Sequence, residues 1–159
     1  MGELMQLRRF LYHSRNRLDP AAGPQADQVR AILATSVRNN NAVNVTGCLV
    51  YDGNWFAQVL EGDIEAVSAI FSKIKNDPRH SDIVVVENEP CPERKFPYWW
   101  MTSMTWDSAK AIAMQRFAAS DAFDPRALRP DYLVGLMEAM LQGEMQRPIR
   151  AEIGAASRR

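Results

Sequence analysis

The chain has 159 residues, the size of one ordinary domain, and its 19 lysines and arginines are balanced by 19 aspartates and glutamates. Balanced charge gives no general attraction to nucleic acid or to an anionic membrane, so neither is expected as a partner. No apolar stretch reaches the length of a membrane span, which predicts a soluble, cytoplasmic protein. Cys48 and Cys91 are too few for a disulfide framework, and the absence of metal-ligand spacing predicts no metal site.

The first predicted elements are a strand and a helix. Residues 4–12 are apolar without helical spacing, which predicts a strand, and residues 16–24 are rich in turn formers. Apolar residues then recur at helical spacing between Val29 and Val37. The predicted helix ends near the asparagines at 39–41, because asparagine tolerates the left-handed backbone found at helix ends.

A hairpin and a second helix come next. Val45–Tyr51 and Trp55–Leu60 flank Asp52-Gly53, a dipeptide that favours a type I′ turn because both central positions of that turn need a positive φ. Asp63 is suited to cap a helix whose apolar positions run to Ile74. The sequence therefore predicts two strands joined by a tight turn, followed by a helix that crosses back over them.

Two more strands and two more helices complete the prediction. Ile83–Val86 is a continuous branched run, typical of a central strand covered on both faces, and residues 96–105 predict a last strand. Apolar residues beyond Asp107 recur at helical spacing and predict two C-terminal helices. The apolar positions are Ala111, Ile112, Met114 and Phe117 in the first helix, and Leu133, Leu136, Met137, Met140 and Leu141 in the second.

The predicted order through residue 105 is β-α-β-β-α-β-β. We therefore expect an α+β, ferredoxin-like sheet with the two crossover helices on one face and the two C-terminal helices on the other. Residues 1–105 would form the core, residues 106–146 a C-terminal helical cap, and residues 147–159 a flexible tail.

Tyr12 and Gln58 place polar groups on strands that ought to be plain core. A buried glutamine has four hydrogen-bonding positions to satisfy and costs free energy if they stay empty. A pocket between helices and sheet, lined by apolar groups with one phenol and one amide, suits a flat heteroaromatic ligand. For each residue taken alone, core packing with a hydrogen-bonded tip is the alternative. Motifs typical of enzymes, such as a glycine-rich phosphate loop or paired histidines, are missing from the sequence.

Several segments, in order, resemble the BLUF family of blue-light sensors. The segments are Leu7–Ser14, Ser36–Asn40, Val45–Gly47, Phe56–Gly62, Asp77–His80 and Arg94–Met101. The resemblance covers residues 4–105, which it identifies as the photosensor core. It implies a non-covalently bound flavin, with FAD expected and FMN or riboflavin as alternatives.

The resemblance also implies roles for individual residues. Tyr12 would donate an electron and a proton to the photoexcited flavin, and Gln58 would bridge Tyr12 to the ring. Asn40 would bond the polar edge of the ring, while Trp99 and Met101 would relay the change in the hydrogen bonds of Gln58. Further flavin contacts are implied for Asn39, Lys73, Asp77, Arg79 and His80, although a solvated helix end is nearly as good an account of most of them.

The sequence departs from the family pattern in three places. Asn44 stands where the family often has glycine, and we expect it to adopt the positive φ that the turn requires. The loop between Arg15 and Gln25 is longer than usual. Trp100 is bulkier than the family's residue there, and alternation predicts that it faces the C-terminal helices, opposite Trp99.

Nothing beyond residue 105 resembles a catalytic output domain. The resemblance therefore implies a photosensory protein that is not itself an enzyme and that signals to a separate effector protein or to another copy in a homo-oligomer. Two alternatives stay open at this point. One is an acylphosphatase-like hydrolase with Arg38 and Asn40 at an anion site, and the other is a regulatory domain that binds a partner without any cofactor.

Overall fold

A computed structural model describes residues 6–142, which form one sheet with helices on both faces. The strands are β1 (Leu7–Asn16), β2 (Thr46–Tyr51), β3 (Trp55–Asp63), β4 (His80–Pro90) and β5 (Thr102–Thr105). The helices are α1 (Gln25–Ala42), α2 (Ile64–Ile74), α3 (Trp106–Arg116) and α4 (130–142). Within residues 6–142, none of the helices combines the length and hydropathy needed to cross a bilayer. The predicted tail at 147–159 lies outside the described residues.

The five strands lie in the order β4-β1-β3-β2-β5. β3 runs antiparallel to both β1 and β2, β4 runs antiparallel to β1, and β5 runs parallel to β2. The predicted β-α-β-β-α-β-β order is therefore confirmed.

Alternate side chains of the strands enter two separate buried clusters. Phe10, Tyr12 and Leu60 belong to a cluster with residues of α1 and α2, whereas Leu11 and Val59 belong to a cluster with residues of α3 and α4. This division confirms the prediction that the two helix pairs cover opposite faces. We call the side under α1 and α2 the cleft face and the side under α3 and α4 the closed face.

The hairpin is confirmed, but the predicted type I′ turn is wrong. Tyr51 pairs with Phe56, and the Asp52 N–H donates to the Trp55 carbonyl at 3.1 Å. Neither Asp52 nor Gly53 has a positive φ. Asp52 Oδ1 instead accepts the backbone N–H groups of Asn54 and Trp55, each at 2.8 Å, so a side chain closes the loop.

The ends of α1 and α2 agree with the local sequence signals. Asn44, just after α1, has φ 57°, as expected from its place in the family pattern. Asp63 caps α2, because its Oδ2 accepts the backbone N–H of Glu65 at 3.1 Å. Both ends lie next to the strands that carry the site.

The prediction that Ile83–Val86 forms a central strand is wrong. β4 lies at the edge of the sheet, and Val84, Val85 and Val86 are 37–47% exposed. The connection through α2 crosses over β1 and places β4 on the side of β1 that does not pair with β3. The β-branched residues of Ile83–Val86 predict a strand but do not predict its position in the sheet.

Two C-terminal predictions also need correction. The last strand begins at Thr102 rather than at residue 96. The Glu61 side chain accepts the Phe96 N–H, Arg94 donates to the Glu61 carbonyl, and Pro97 lacks an N–H. In α3 the buried residues are Trp106, Ala109 and Ala113, whereas Met114 is exposed. The predicted apolar positions of α4 are all buried.

Candidate functional site

Tyr12 on β1 and Gln58 on β3 lie directly opposite each other in the sheet. Their side chains point to the cleft face and are 4% and 6% exposed. The Tyr12 hydroxyl donates a hydrogen bond to Gln58 Oε1. The two strands therefore bring together the phenol and the amide that the sequence singled out.

Gln58 also reaches the segment that precedes β5. Its Nε2 donates to Met101 Sδ at 3.3 Å, and Met101 is buried in the same cluster as Tyr12. A thioether sulfur is a weak acceptor, so this bond is easily exchanged for another. Gln58 thus connects Tyr12 on one side to Met101 on the other.

A cleft of about 180 Å³ opens beside this pair, between α1, the end of α2 and the sheet. Its walls combine apolar and polar side chains, as is usual for sites that bind small ligands. The lining residues are Tyr12, Ile32, Thr35, Ser36, Asn39, Leu49, Phe56, Gln58, Lys73, Ile74, Asp77, Arg79 and His80. All the predicted flavin contacts except Asn40 are among them.

Asn40 lines a smaller pocket of about 60 Å³ that shares Asn39, Gln58 and Lys73 with the cleft. The Asn40 side chain is buried, and its Nδ2 donates to the backbone carbonyl of Trp100 at 2.8 Å. Asn40, which was predicted to contact the flavin ring, therefore lies in the small pocket behind the cleft. One N–H of its amide is already hydrogen-bonded to the Trp100 carbonyl.

Charged residues form the rim of the cleft. Arg79 Nε donates to Asp77 Oδ1 at 2.9 Å, and this hydrogen bond lowers the pKa of the Asp77 carboxyl. His80 is held by two bonds, with Nδ1 2.8 Å from Ser14 Oγ and Nε2 2.6 Å from the Ile74 carbonyl. Lys73 is exposed at the rim.

The environment of Tyr12 keeps its phenol protonated. Burial raises the pKa of Tyr12 well above its ordinary value of 10.0, and the negative charge of Asp77 raises it further. Tyr12 therefore offers a proton along its bond to Gln58 at any physiological pH.

Strand alternation predicts that Trp99 and Met101 share a face, but the structure places them on opposite sides of the sheet. Met101 lies on the cleft face, whereas Trp99 packs against the buried cluster of the closed face, and Trp100 is 37% exposed. The predicted orientation of Trp99 is thus wrong, because residues 99–101 precede β5 and do not alternate as a strand. The Trp99 carbonyl accepts the Gly47 N–H at 2.8 Å, which ties this segment to β2.

The sequence prediction missed part of the cleft wall on α1. Ile32, Ser36 and Asn39 line the cleft at intervals of four and three residues, together with Thr35. The spacing of Ile32, Ser36 and Asn39 would have indicated one helix face, but of these residues only Asn39 was predicted to contact the ligand.

Cys48 lies away from the cleft. It is fully buried in the cluster of the closed face, and burial raises the pKa of its thiol well above the ordinary value. A thiol so placed is not available to form a bond with a ligand in the cleft.

A larger cleft of about 390 Å³ lies between the β2-β3 hairpin and the start of α3. Lys110 in its wall lies 3.3 Å from Asp107 and 3.6 Å from Asp121, and both carboxylates are largely exposed. This cleft offers solvated, mutually paired charges, whereas the smaller cleft offers a buried phenol and amide.

Comparison with known proteins agrees with this geometry. A family model described as "BLUF: Sensors of blue-light using FAD" matches residues 7–102. The photoactivated adenylate cyclase subunit beta of Euglena gracilis is 37% identical over 107 residues, which cover 67% of this chain and 12% of that protein. The chain thus spans about a tenth of the length of the curated relatives it matches.

Two solved structures extend the agreement beyond the matched residues. The dark-state structure of BlrB, a BLUF protein, has a TM-score of 0.68 at 31% identity and covers 89% of this chain and 99% of BlrB. BlsA in its photo-activated state has a TM-score of 0.73 at 25% identity and covers 85% of this chain and 94% of BlsA. At these coverages the similarity extends beyond residues 7–102.

The fold and the cleft define an α+β ligand-binding domain. Because the family model matches more than half of its length, the chain belongs to the BLUF family of blue-light sensors, whose cofactor is FAD. This family match favours the sensor over the hydrolase alternative. Asn40 Nδ2 donates to the Trp100 carbonyl, and Arg38 is exposed on α1.

Proposed function

We propose that this chain binds FAD non-covalently in the cleft and that Tyr12 and Gln58 carry its response to blue light. The observation that carries the proposal is the buried hydrogen bond from the Tyr12 hydroxyl to Gln58 Oε1 at the wall of the cleft. The lining fits a flat ring system, because Ile32, Leu49 and Phe56 supply apolar wall and Gln58 supplies an amide for a polar edge.

Bound FAD supplies an oxidant when it absorbs blue light. Tyr12 would give up an electron to this oxidant, and because a phenol that has lost an electron is a strong acid, its proton would move along the existing bond to Gln58 Oε1. When electron and proton return to Tyr12, the Gln58 amide is left in a different arrangement of donors and acceptors. Gln58 would then donate a stronger hydrogen bond to the polar edge of the bound flavin ring. This bond would shift the flavin absorption band to the red.

The signal would leave through the segment before β5. A rearranged Gln58 no longer donates to Met101 in the same way, and Asn40 holds the neighbouring carbonyl of Trp100. β5 leads directly into α3, so a change at residues 99–101 reaches the closed face. The output is contact with a separate effector protein or a second copy, without catalysis by this chain.

Absorption spectra of the purified chain test the proposal. After incubation with FAD, FMN or riboflavin and removal of free flavin, we expect a bound flavin spectrum and a reversible red shift under blue light. Gln58→Leu should keep the flavin band and lose the shift. A chain that stays colourless after all three incubations would exclude the sensor function and favour a regulatory domain without cofactor.

A further inference from the structure

Glu61 is a fully buried carboxylate that the light reaction of Tyr12 and Gln58 does not use. It lies on β3 three residues beyond Gln58 and points to the closed face, since it follows Leu60 of the cleft face. Its oxygens accept Arg9 Nε at 2.9 Å, the Lys95 N–H at 2.9 Å and the Phe96 N–H at 2.7 Å. Two of these donors belong to the backbone of the segment that leads to Met101.

A buried charge is tolerated only while its partners stay in place. Moving residues 95 and 96 away would leave the Glu61 carboxylate with Arg9 alone in a region closed to water. Arg94 strengthens the attachment, because its guanidinium donates to Thr46 Oγ1 at 2.8 Å and to the Glu61 carbonyl at 2.8 Å. Residues 94–96 are therefore fixed to the sheet at the start of the segment.

The same residues touch the C-terminal helix. The Phe96 side chain is 0% exposed and belongs to the buried cluster that contains Leu133 and Leu136 of α4. Lys95 Nζ lies 3.5 Å from Glu138 Oε1, also on α4. One end of the segment thus contacts α4, while its other end carries the bonds from Asn40 and Gln58.

We propose that Glu61 is a positioning residue for signal output: it anchors residues 94–96 so that a change at residues 100 and 101 moves α4. Without the anchor, the change would be absorbed by the irregular segment between residues 94 and 101. This inference rests on the proposed function, since it needs a light-dependent change at Gln58.

The test uses the FAD-loaded full chain and two readouts. The first is the light-induced red shift, which reports on Tyr12 and Gln58. The second is the light-minus-dark difference in amide hydrogen exchange over residues 133–141 of α4. Glu61→Gln removes the charge, and Glu89→Gln on the exposed part of β4 makes the same change in net charge as a matched control.

We expect Glu61→Gln to keep the red shift, because Glu61 lies on the face away from the cleft, and to reduce the exchange difference at least about threefold. Glu89→Gln should match the wild type in both readouts. Should Glu61→Gln fail to fold, Arg94→Lys keeps the buried carboxylate but loses the guanidinium, whose Nη1 reaches Thr46 and Glu61 while its Nη2 reaches the Asn44 carbonyl. It should show the same reduction.

Three results would overturn the inference. One is a light-minus-dark exchange difference in α4 that is unchanged in Glu61→Gln and Arg94→Lys, even if exchange in the dark rises. That pattern would mean that Glu61 and Arg94 only stabilise the fold. Another is a wild type that shows the red shift without any exchange difference in α4. A wild type with bound FAD and no red shift would overturn the proposed function as well.

Discussion

On the closed face, side chains from the sheet, α3 and α4 fill the space between the layers, whereas on the cleft face they leave about 180 Å³ beside Tyr12 and Gln58. Neighbouring residues of one strand serve both sides, since Val59 is fully buried in the closed face and Gln58 borders the cleft. The closed face completes its own packing. The cleft face places a phenol and an amide beside open space, so the two faces should respond differently to mutation and to FAD.

The largest effect is expected on the closed face. Phe96→Ala removes a fully buried ring and should lower the free energy of unfolding by about 3–5 kcal/mol, through lost burial and the cavity left behind. Urea unfolding monitored by circular dichroism would give this value. FAD should add the same stabilisation to both proteins, so the difference between them should not change when FAD is bound. A difference that FAD removes would mean that Phe96 stabilises the cleft rather than the closed face.

Binding of FAD in the cleft should raise the free energy of unfolding by a smaller amount than Phe96→Ala lowers it. A ligand that binds only the native state, at a free concentration a hundred times its dissociation constant, raises the free energy of unfolding by about 2.7 kcal/mol. Ser36→Trp should abolish this gain, because Ser36 lines both the cleft and the pocket behind it. Ser72→Trp, at an exposed position on α2, is the matched control and should keep the gain.

The smallest effect concerns His13, the closed-face neighbour of Tyr12. His13 is buried edge-on against Trp55, and burial lowers its pKa below the ordinary 6.5, with Arg126 lowering it further and Asp124 opposing both. The unfolded chain therefore binds this proton more readily, so the free energy of unfolding should fall as the pH drops below about 6.5.

His13→Gln should lose less stability than the wild type between pH 7.5 and pH 5.5 in the same urea titration. An equal loss in both proteins would assign the acid sensitivity to other groups. The matched comparison is between the two proteins at each pH.

Most of the fold could be predicted from local signals. The Asp63 cap, the hairpin around Asp52 and the helical spacing of α4 depend on residues close in sequence, and each appears where expected. The edge position of β4 could not be predicted from its composition, because strand order is set by how the crossover helices pack.

In the site, too, some features follow from local sequence and others depend on contacts between distant residues. Tyr12 and Gln58 face each other because strand alternation puts both on one side, which the sequence indicates. The separation of Trp99 from Met101 could not be predicted, because it depends on Glu61 and Arg94 holding the chain before β5, and these are contacts between residues 33 to 48 positions apart.

The central claim is that Tyr12 is the proton and electron donor of a light reaction in the cleft. The most direct measurement is the light-minus-dark absorption spectrum of FAD-loaded wild type, Tyr12→Phe and Tyr98→Phe, the last being a change at an exposed tyrosine. We expect a red shift in the wild type and in Tyr98→Phe, and none in Tyr12→Phe despite bound FAD. A red shift of normal size in Tyr12→Phe would contradict the account.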